Sequence, residues 1–291
     1  MAREIAWDLP FEDRRLTYNT QPDGCDIIVG DALAVLQTFP SRTFRCCVTS
    51  PPYWGLRDYG IPNQIGAEAR LEDYTANLVA VFRQVRRVLT DDGTLWLNLG
   101  DSYTSGNRTW RDTDRKNPAR AMDYRPPTPD GLKPKDLIGV PWRAAFALQE
   151  DGWYLRSDIV WHKPNCQPES VKDRPTRAHE YLFMLSKSQD YFYDYEAARE
   201  PASSRGRSRN RRSVWSINTE AYPEAHFATF PVSLVEPCLS AGSAIGDRVL
   251  DPFFGSGTVG EACVAMKRAF TGIELNDDYA CLARRRLGWE E

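Results

Sequence analysis

The chain has 291 residues, of which 42% are hydrophobic and 26% charged, and its 37 basic and 40 acidic residues give a net charge of −3. This composition is typical of a globular protein, and the length is enough for one large domain. The first ten residues lack the apolar run of a signal peptide and no stretch approaches a membrane span, so a cytoplasmic protein is expected. Because the whole molecule is slightly acidic, a nucleic acid would have to bind a local basic surface.

The seven cysteines form no CxxC pair and have no histidine-rich cluster as a companion. This pattern argues against a metal site and against a disulfide framework, and it favours reduced thiols.

Apolar periodicity alternates between strand and helix patterns along the chain. Strands are predicted at residues 25–29, 44–49, 94–99, 153–161, 181–186, 248–251 and 269–274. Helices are predicted at residues 32–37, 71–89, 137–150, 259–266 and 278–287, and Asp91-Asp92-Gly93 is expected to end the second of them. The alternation predicts an α/β fold, with a mostly parallel sheet covered by helices on both faces.

Two polar, arginine-containing stretches interrupt this pattern, and we predict that they are inserts at residues 104–133 and 197–222 of a single domain, 1–291. The second insert contains a cluster of arginines: Arg205, Arg207, Arg209, Arg211 and Arg212. Arginine charge gives sequence-independent affinity for nucleic-acid phosphates, and a few arginines can read guanine edges. A solvated loop is the alternative interpretation, and the first insert is the rival segment for reading a sequence.

The stretch TSPPYW, residues 49–54, directly follows the second predicted strand. Its consecutive prolines end the strand and give it a rigid backbone. They also bring a hydroxyl, a fixed carbonyl and two aromatic rings together. A strand end with core aromatics is the plain structural interpretation, and a second motif near the other end of the chain bears on the choice.

That second motif is VLDPFFGSGTVGEACVAMKRAFTGIELND, residues 249–277. A strand ends at Asp251, and Gly255-Ser256-Gly257 makes a tight turn into a helix, as at ligand sites beyond the carboxyl ends of strands in open α/β sheets. Glu274 closes the next strand, where a carboxylate can accept both hydroxyls of a ribose. The turn lacks the Gly-Lys-Ser/Thr of a triphosphate loop, and Asp251 suits a cationic ligand better than a pyrophosphate. A glycine-rich turn with surface carboxylates is the alternative.

Together, DPFFGSGT and TSPPYW resemble the motifs of the S-adenosylmethionine-dependent DNA amino-methyltransferases. The catalytic motif precedes the cofactor motif, as in the permuted β group of that family. Further blocks over nearly the whole chain are similar, among them LWLNLGDSY (95–103), GWYLRSDIVWHKPN (152–165) and HFATFP (226–231). The resemblance implies a Rossmann-like methyltransferase fold with circularly permuted motif order, S-adenosylmethionine as cofactor and double-stranded DNA as substrate. It also implies a restriction–modification or a solitary enzyme, with a homodimer and a cognate restriction endonuclease as implied partners.

The resemblance also assigns roles to individual residues. The catalytic tetrad that it implies is Ser50, Pro51, Pro52 and Tyr53. The cofactor-binding residues that it implies are Asp31, Asp251, Phe253, Gly255, Gly257, Thr258, Glu274 and His226. Among them, Glu274 would bind the ribose, Asp31 would lie near the adenine, and His226 would begin the block along the methionine tail.

The Ser-Pro-Pro-Tyr motif suits transfer of a methyl group to an exocyclic amine, whose lone pair is delocalised into the base. Ser50 Oγ and the carbonyl of Pro51 can accept the two amine hydrogens, and the rigid prolines preorganise both acceptors. Tyr53 would stack on a base flipped out of the duplex. Serine in the first position favours N4 of cytosine over N6 of adenine in this family, although a neutral hydroxyl does not exclude adenine. The alternatives are an RNA or protein N-methyltransferase and an inactive DNA-binding relative.

Three further features are assigned other roles. Cys238 follows a proline on a predicted helix and is expected to be a packed thiol rather than the nucleophile of a C5-cytosine methyltransferase. The dipeptide His179-Glu180 lacks the paired cysteines of zinc deaminases, so a structural role is expected. The stretch WHKPN, residues 161–165, either lines the base pocket or contacts phosphate, or it forms an edge loop.

Overall fold

The computed structural model describes residues 17–20, 24–56, 58–59, 61, 64–105, 126–202, 207–220 and 230–289. Within them, strands β1 to β11 are Thr17–Thr20, Asp26–Val29, Phe44–Thr49, Leu89–Leu99, Tyr154–His162, His179–Ser186, Glu200–Pro201, Ser208–Arg209, Val214–Ser216, Arg248–Asp251 and Ala269–Glu274. Helices α1 to α6 are Ala32–Thr38, Leu71–Val88, Val140–Glu150, Val232–Gly242, Thr258–Ala265 and Asp277–Arg286.

Nine of the described strands form one sheet in the order β1-β2-β11-β10-β3-β4-β6-β5-β9. The five central strands β2, β11, β10, β3 and β4 are parallel to one another. Strand β6 is antiparallel to both β4 and β5, β1 is antiparallel to β2, and β9 is parallel to β5. The predicted mostly parallel sheet is confirmed.

Helices cover both faces of this sheet, so the apolar core lies in two layers. One layer packs α1, α2 and α3 against the sheet, and the other packs α4, α5 and α6 against the opposite face. Because both faces are covered, the central strands are apolar on both sides, as in the continuous buried run of β4 from Leu95 to Leu99.

Helix α2 illustrates why these elements form. Its buried residues recur every three or four positions, which places them on one face: Leu71, Tyr74, Leu78, Val81, Phe82, Val85 and Val88. Glu72 and Asp73 lie in its first turn and Arg86 and Arg87 in its last, where they complement the helix dipole.

The structure differs from the predicted elements at a few places. Helix α2 ends at Val88, and β4 begins at once with Leu89 pairing to Phe44; the register then shifts until Thr94 pairs with Cys46, so Asp91-Asp92-Gly93 lies in an irregular stretch of β4. The strands β1, β7, β8 and β9 are short and carry no clear periodicity. Strand β9 belongs to the second predicted insert, yet it joins the edge of the main sheet beside β5.

The strand directions decide which loops meet. The carboxyl ends of β2, β3, β4, β10 and β11 lie at one edge of the sheet, because these strands are parallel. Antiparallel pairing brings the start of β6 to the same edge, with Tyr181 opposite Leu99. The end of β5 arrives there as well, since His162 lies opposite His179. None of the helices in the described ranges is long and apolar enough to cross a bilayer.

Candidate active site

The serine–proline motif and the glycine turn meet at this sheet edge. Strands β3 and β10 are neighbours, with Val249 opposite Cys46 and Leu250 opposite Cys47. At their ends, the buried Thr49 Oγ1 donates a hydrogen bond of 2.6 Å to Asp251 Oδ1, across 202 positions of sequence. The two motifs therefore lie side by side.

Asp251 is a buried carboxylate, 2% exposed, at the end of β10. Besides the Thr49 hydroxyl, the backbone N–H of Phe253 donates to its Oδ1 at 3.0 Å. Burial raises the pKa of Asp251 to about 7; the two hydrogen bonds oppose that rise, and Glu274 nearby adds to it. No basic side chain among the described residues contributes to holding it ionised. A positively charged ligand would supply the missing compensation.

Glu274 ends the neighbouring strand β11 and holds the glycine turn. Its Oε2 accepts a hydrogen bond of 2.7 Å from the Gly255 N–H, and its Oε1 accepts one of 2.9 Å from the Asn276 N–H. Burial raises the pKa of Glu274, and these backbone hydrogen bonds oppose the rise. Each carboxylate oxygen keeps a second lone pair that a ligand hydroxyl can use.

The turn needs glycine at two positions for different reasons. Gly255 (φ 55°) and Gly257 (φ 84°) both lie in the left-handed region. A Cβ on Gly257 would come within 3.0 Å of the Ala283 side chain of α6, whereas a Cβ on Gly255 would meet no atom within 4 Å. Gly257 thus allows helix packing, and Gly255 leaves an open face where a ligand can approach the backbone.

The two phenylalanines of the turn face different surroundings. Phe254 is buried and stacks on Phe270 with ring centroids 5.4 Å apart. It also fills the place of a side chain at Gly272, where a Cβ would lie 2.3 Å from its ring. Phe253 is only partly buried, with its ring 6.3 Å from that of Phe82. Phe254 therefore anchors the turn, whereas the ring of Phe253 stays partly exposed beside it.

The remaining predicted cofactor residues are placed as follows. Asp31 follows β2, caps α1 through a hydrogen bond of 2.9 Å from the Ala34 N–H, and lies next to β11, where the Gly30 N–H bonds the Glu274 carbonyl. The Thr258 hydroxyl is buried in α5 and accepts a hydrogen bond of 3.0 Å from Arg286. His226 lies outside the described residues, so its assignment stays a prediction.

The Ser-Pro-Pro-Tyr tetrad is fixed by side chains from other elements. Tyr74 of α2, fully buried, donates a hydrogen bond of 3.0 Å to the carbonyl of Pro52. Ser50 Oγ lies 3.2 Å from Tyr53 Oη. The serine hydroxyl and the tyrosine ring of the motif are thereby held on the same side of the loop.

Asn98 and Glu180, which the sequence analysis did not assign to the site, complete this corner together with Lys163 of the WHKPN stretch. Tyr53 Oη donates to Glu180 Oε2 at 2.9 Å, and the Asn98 amide nitrogen donates to the same oxygen at 2.9 Å. The Asn98 amide also lies 2.9 Å from Tyr53 Oη and 3.4 Å from Ser50 Oγ. Lys163 forms an ion pair with Glu180, and its ammonium lies 4.1 Å from the centre of the Trp161 ring.

The dipeptide His179-Glu180, for which a structural role is expected, brings the Glu180 carboxylate into direct contact with the motif tyrosine. Burial alone would raise the pKa of Glu180, but Lys163, Asn98 and Tyr53 outweigh burial and hold it below its usual value. The carboxylate is therefore ionised at neutral pH. The Asn98 side chain must direct its nitrogen towards Glu180, since the amide oxygen would be repelled there, and its Oδ1 is a buried acceptor without a donor in the described part of the chain.

The sequence did contain one signal for this cluster. Asn98 is the single polar residue in the apolar run Leu95 to Leu99, and a polar side chain within a buried strand requires partners. Strand alternation places it on the same face as Trp96, but its partner Glu180 comes from β6, whose antiparallel pairing with β4 the sequence did not predict.

The described arginines of the second insert differ in their surroundings. Arg209 pairs with Glu200 at 2.8 Å, and the Arg211 guanidinium lies 5.3 Å from the centre of the Trp215 ring. Arg207 and Arg212 are exposed, and Arg205 lies outside the described residues. An open groove of about 780 Å³ beside β9 is lined by Arg209 and Arg212 among others.

The expected packing of the cysteine thiol is confirmed. Cys238 is fully buried in α4, and its thiol donates to the carbonyl of Leu234 at 3.2 Å. Burial raises the pKa of Cys238 well above its ordinary value, so it does not provide a thiolate.

Comparison with known proteins identifies relatives over most of the chain. A family model described as DNA methylase matches residues 44–285. The chain is 65% identical over 264 residues to the type II methyltransferase M.SmaI of Serratia marcescens, covering 90% of each chain.

Solved structures share the fold. A protein of Thermus thermophilus, assigned as a DNA modification methylase and crystallised with S-adenosyl-L-methionine, has a TM-score of 0.60 and 27% identity, covering 89% of this chain and 93% of that one. The cytosine-N4-specific PvuII DNA methyltransferase has a TM-score of 0.69 and 19% identity, covering 92% of this chain and 89% of that one.

Proposed function

The chain belongs to the DNA methylase family and is an S-adenosylmethionine-dependent DNA methyltransferase that acts on an exocyclic amine, and we propose that this amine is N4 of cytosine. The observation that carries the proposed site is the hydrogen bond between Thr49 and Asp251, which puts the two motifs side by side. By the family resemblance, serine supports cytosine at a position where adenine enzymes usually carry aspartate or asparagine. Adenine N6 is the competing target.

The residues at the glycine turn fit S-adenosylmethionine. We assign the amino group of its methionine part to Asp251, whose buried carboxylate lacks a cation among the described residues. The ribose hydroxyls are assigned to Glu274, next to the open face of Gly255, and the adenine to the side of Asp31 and Phe253. When bound, the cofactor supplies a methyl group activated by its sulfonium.

The neighbouring corner receives the base. Ser50 Oγ and the carbonyl of Pro51 are the proposed acceptors for the amine hydrogens, and Tyr53 is the proposed stacking platform. No strong base is required, since methyl transfer leaves a positive charge on the amine nitrogen, and this cation readily releases its proton to water.

Product analysis tests the choice of base. Duplex DNA incubated with the protein and labelled cofactor is digested to nucleosides and separated by chromatography. We expect N4-methylcytosine; N6-methyladenine would replace the cytosine assignment but leave the family activity intact. Parallel reactions with RNA and with protein test the rival substrates, and cofactor binding without methylation of any DNA would indicate an inactive relative.

We propose that Arg207 and Arg212 contact DNA phosphates, since both are exposed while Arg209 and Arg211 have partners within the chain. Replacing both by glutamine should lower the slope of the logarithm of the DNA-binding constant against the logarithm of the salt concentration by about one for each arginine. The matched control is Arg42→Gln, an exposed arginine at the opposite edge of the sheet, just before β3. An unchanged salt dependence would place the phosphate contacts elsewhere, with the first insert as the next candidate.

A homodimer and a cognate restriction endonuclease are the partners that we propose, the second supported by the type II methyltransferases among the relatives. Sedimentation of the protein with and without duplex DNA tests the dimer. Resistance of DNA modified in cells to a panel of endonucleases tests whether a nuclease of matching specificity exists.

A further inference from the structure

The hydroxyl of Ser50 is the first group of a hydrogen-bonded series that ends at the partly buried charge of Glu180. Tyr53 has a single hydroxyl proton, and Glu180 Oε2, an ionised carboxylate oxygen, can only accept it. In the 3.2 Å contact between Ser50 and Tyr53, the serine must therefore be the donor. The direction of each bond is thus fixed from Ser50 to Tyr53 to Glu180.

We propose that Glu180 is a positioning residue for methyl transfer, whose carboxylate acts through the Tyr53 hydroxyl to turn the lone pairs of Ser50 towards the target amine and to strengthen them as acceptors. This inference rests on the proposed site, but it holds for either amine, cytosine N4 or adenine N6.

The chemistry explains why a serine needs such support. A neutral hydroxyl is a weaker acceptor than a carboxylate, and a hydroxyl free to rotate can direct its proton at the amine, where it repels. Donation to Tyr53 keeps the Ser50 proton away from the amine. Hydrogen bonds in a series polarise one another, and the effect is larger in a buried environment. The negative charge on Glu180 thereby increases the electron density that Ser50 Oγ offers.

The surroundings are built to keep Glu180 close to Tyr53 and charged. A Cβ at Gly100 would lie 2.6 Å from Tyr53 Cε2 and 3.2 Å from the Glu180 carboxyl carbon, so glycine is required for this contact. Lys163 supplies the counter-charge, and its ammonium is itself placed over the Trp161 ring. Asn98 gives a second hydrogen bond to the same carboxylate oxygen that Tyr53 uses.

A purely structural role for Glu180, as the partner of Lys163, predicts different behaviour. In that case the charge of Glu180 matters only because it balances the ammonium of Lys163. Removing both charges should then restore activity, and the hydroxyl of Tyr53 should contribute independently of Glu180.

Four variants separate these roles: Glu180→Gln, Tyr53→Phe, the combination of these two, and Glu180→Gln with Lys163→Met. The measurement is the single-turnover rate of transfer of labelled methyl groups to duplex DNA, with cofactor affinity and thermal unfolding followed in parallel. This rate counts methylation of either base. If the wild-type protein methylates adenine N6, the proposed cytosine target is refuted, and the same four variants still test the role of Glu180.

We expect Glu180→Gln and Tyr53→Phe each to slow transfer by roughly ten- to a hundredfold, the loss associated with a hydrogen bond to a charged group. Cofactor affinity should change by less than about twofold, because neither residue touches the glycine turn. The double variant Tyr53→Phe/Glu180→Gln should be no slower than the slower single variant, since both changes break the same series. Glu180→Gln with Lys163→Met should fold like the wild type and remain slow.

Two results would overturn the inference. One is recovery of the rate when Lys163→Met is added to Glu180→Gln, which would identify Glu180 as a counter-ion only. The other is multiplication of the two single effects in the double variant, which would mean that Tyr53 and Glu180 act independently. If Glu180→Gln alone fails to fold, the rate of Tyr53→Phe decides, and a wild-type rate in that variant excludes the series.

Discussion

Two acidic corners lie side by side at the sheet edge, and the protein treats their charges in opposite ways. Glu180, behind the Ser-Pro-Pro-Tyr motif, pairs with Lys163, and its pKa is lowered. Asp251 and Glu274, at the glycine turn, have raised pKa values because burial is not offset by a basic side chain among the described residues.

The difference matches the ligands that the two corners are proposed to bind. A DNA base is neutral, so a charged group beside it has to be balanced before the base arrives. S-adenosylmethionine carries positive charge, so the corner that binds it can leave its acids uncompensated until the cofactor enters. We therefore expect the unbalanced corner to select a cation and the balanced corner to orient a neutral amine.

The largest expected effect on cofactor affinity comes from removing the charge of Asp251. Asp251→Asn should weaken S-adenosylmethionine binding by about ten- to a hundredfold, the loss of a hydrogen bond to a charged group. Titration calorimetry measures it. The matched control is Asp31→Asn, because asparagine caps a helix as well as aspartate does and Asp31 is assigned to the adenine side. Equal losses in the two variants, or unchanged affinity in Asp251→Asn, would remove the assigned contrast.

Substitutions in the balanced corner should lower the rate of methyl transfer and leave cofactor affinity unchanged. Tyr53→Ala removes both the ring and its hydroxyl, and stacking of a base on an aromatic ring is worth about 1–3 kcal/mol. We expect methyl transfer in Tyr53→Ala to fall at least about fivefold further than in Tyr53→Phe, while cofactor affinity stays within about twofold. Tyr53→Phe keeps the ring, so the difference between the two variants in single-turnover rate measures stacking alone. Equal rates for Tyr53→Ala and Tyr53→Phe would exclude stacking.

The pH dependence of cofactor affinity tests the role of Asp251 without a substitution at the site. The pKa of Asp251, raised by burial, is about 7, so below that pH the free protein holds a proton on this carboxyl. Binding a cation requires the ionised form, so affinity should rise with pH up to about 7 and then level off, by at most about tenfold per pH unit. Calorimetry between about pH 5.5 and 7.5 stays below the range where a free α-amino group titrates.

The sign follows from linkage. The free protein binds more protons than the complex, so binding releases a proton and strengthens as protons become scarce. Asp251→Asn should abolish this pH dependence, whereas Glu180→Gln should preserve it, because the pKa of Glu180 is already lowered in the free protein. A dependence that survives in Asp251→Asn would assign the titration to another group, with Glu274 the first candidate.

The contrast between the corners also separates what the sequence could predict from what it could not. The predicted strands 248–251 and 269–274 have the bounds that the structure shows, because short apolar runs flanked by a glycine turn and charged residues are a local signal. Most residues proposed for the cofactor corner lie on these two strands and in the glycine turn after the first of them. Motif and spacing could therefore predict that they lie together, and their roles stay predictions.

The catalytic corner draws its partners from distant strands. Asn98, Lys163 and Glu180 meet only because β6 pairs antiparallel with both β4 and β5, a non-local pairing that no local periodicity encodes. The end of α2 shows the same limit: Leu89 already pairs with Phe44, and Asp91-Asp92-Gly93, residues whose local preference is for a turn, form the irregular stretch of β4 before Thr94 pairs with Cys46.

The smallest expected effect comes from the bond that joins the two corners. Thr49→Val replaces the buried hydroxyl by a methyl group of similar shape and removes the donor to Asp251 Oδ1, which keeps the Phe253 N–H. We expect the free energy of unfolding to fall by about 1–2 kcal/mol in urea denaturation, the value of one buried hydrogen bond. The control Thr38→Val removes a threonine hydroxyl that bonds the Val35 carbonyl in α1, away from both motifs. If the corners act as separate units, the variant should keep the pH dependence of cofactor binding and the single-turnover rate within about twofold, because neither charge has moved. A much larger loss of turnover than of stability would mean that Thr49 transmits the position of Asp251 to Ser50, and the two corners would have to be treated as one.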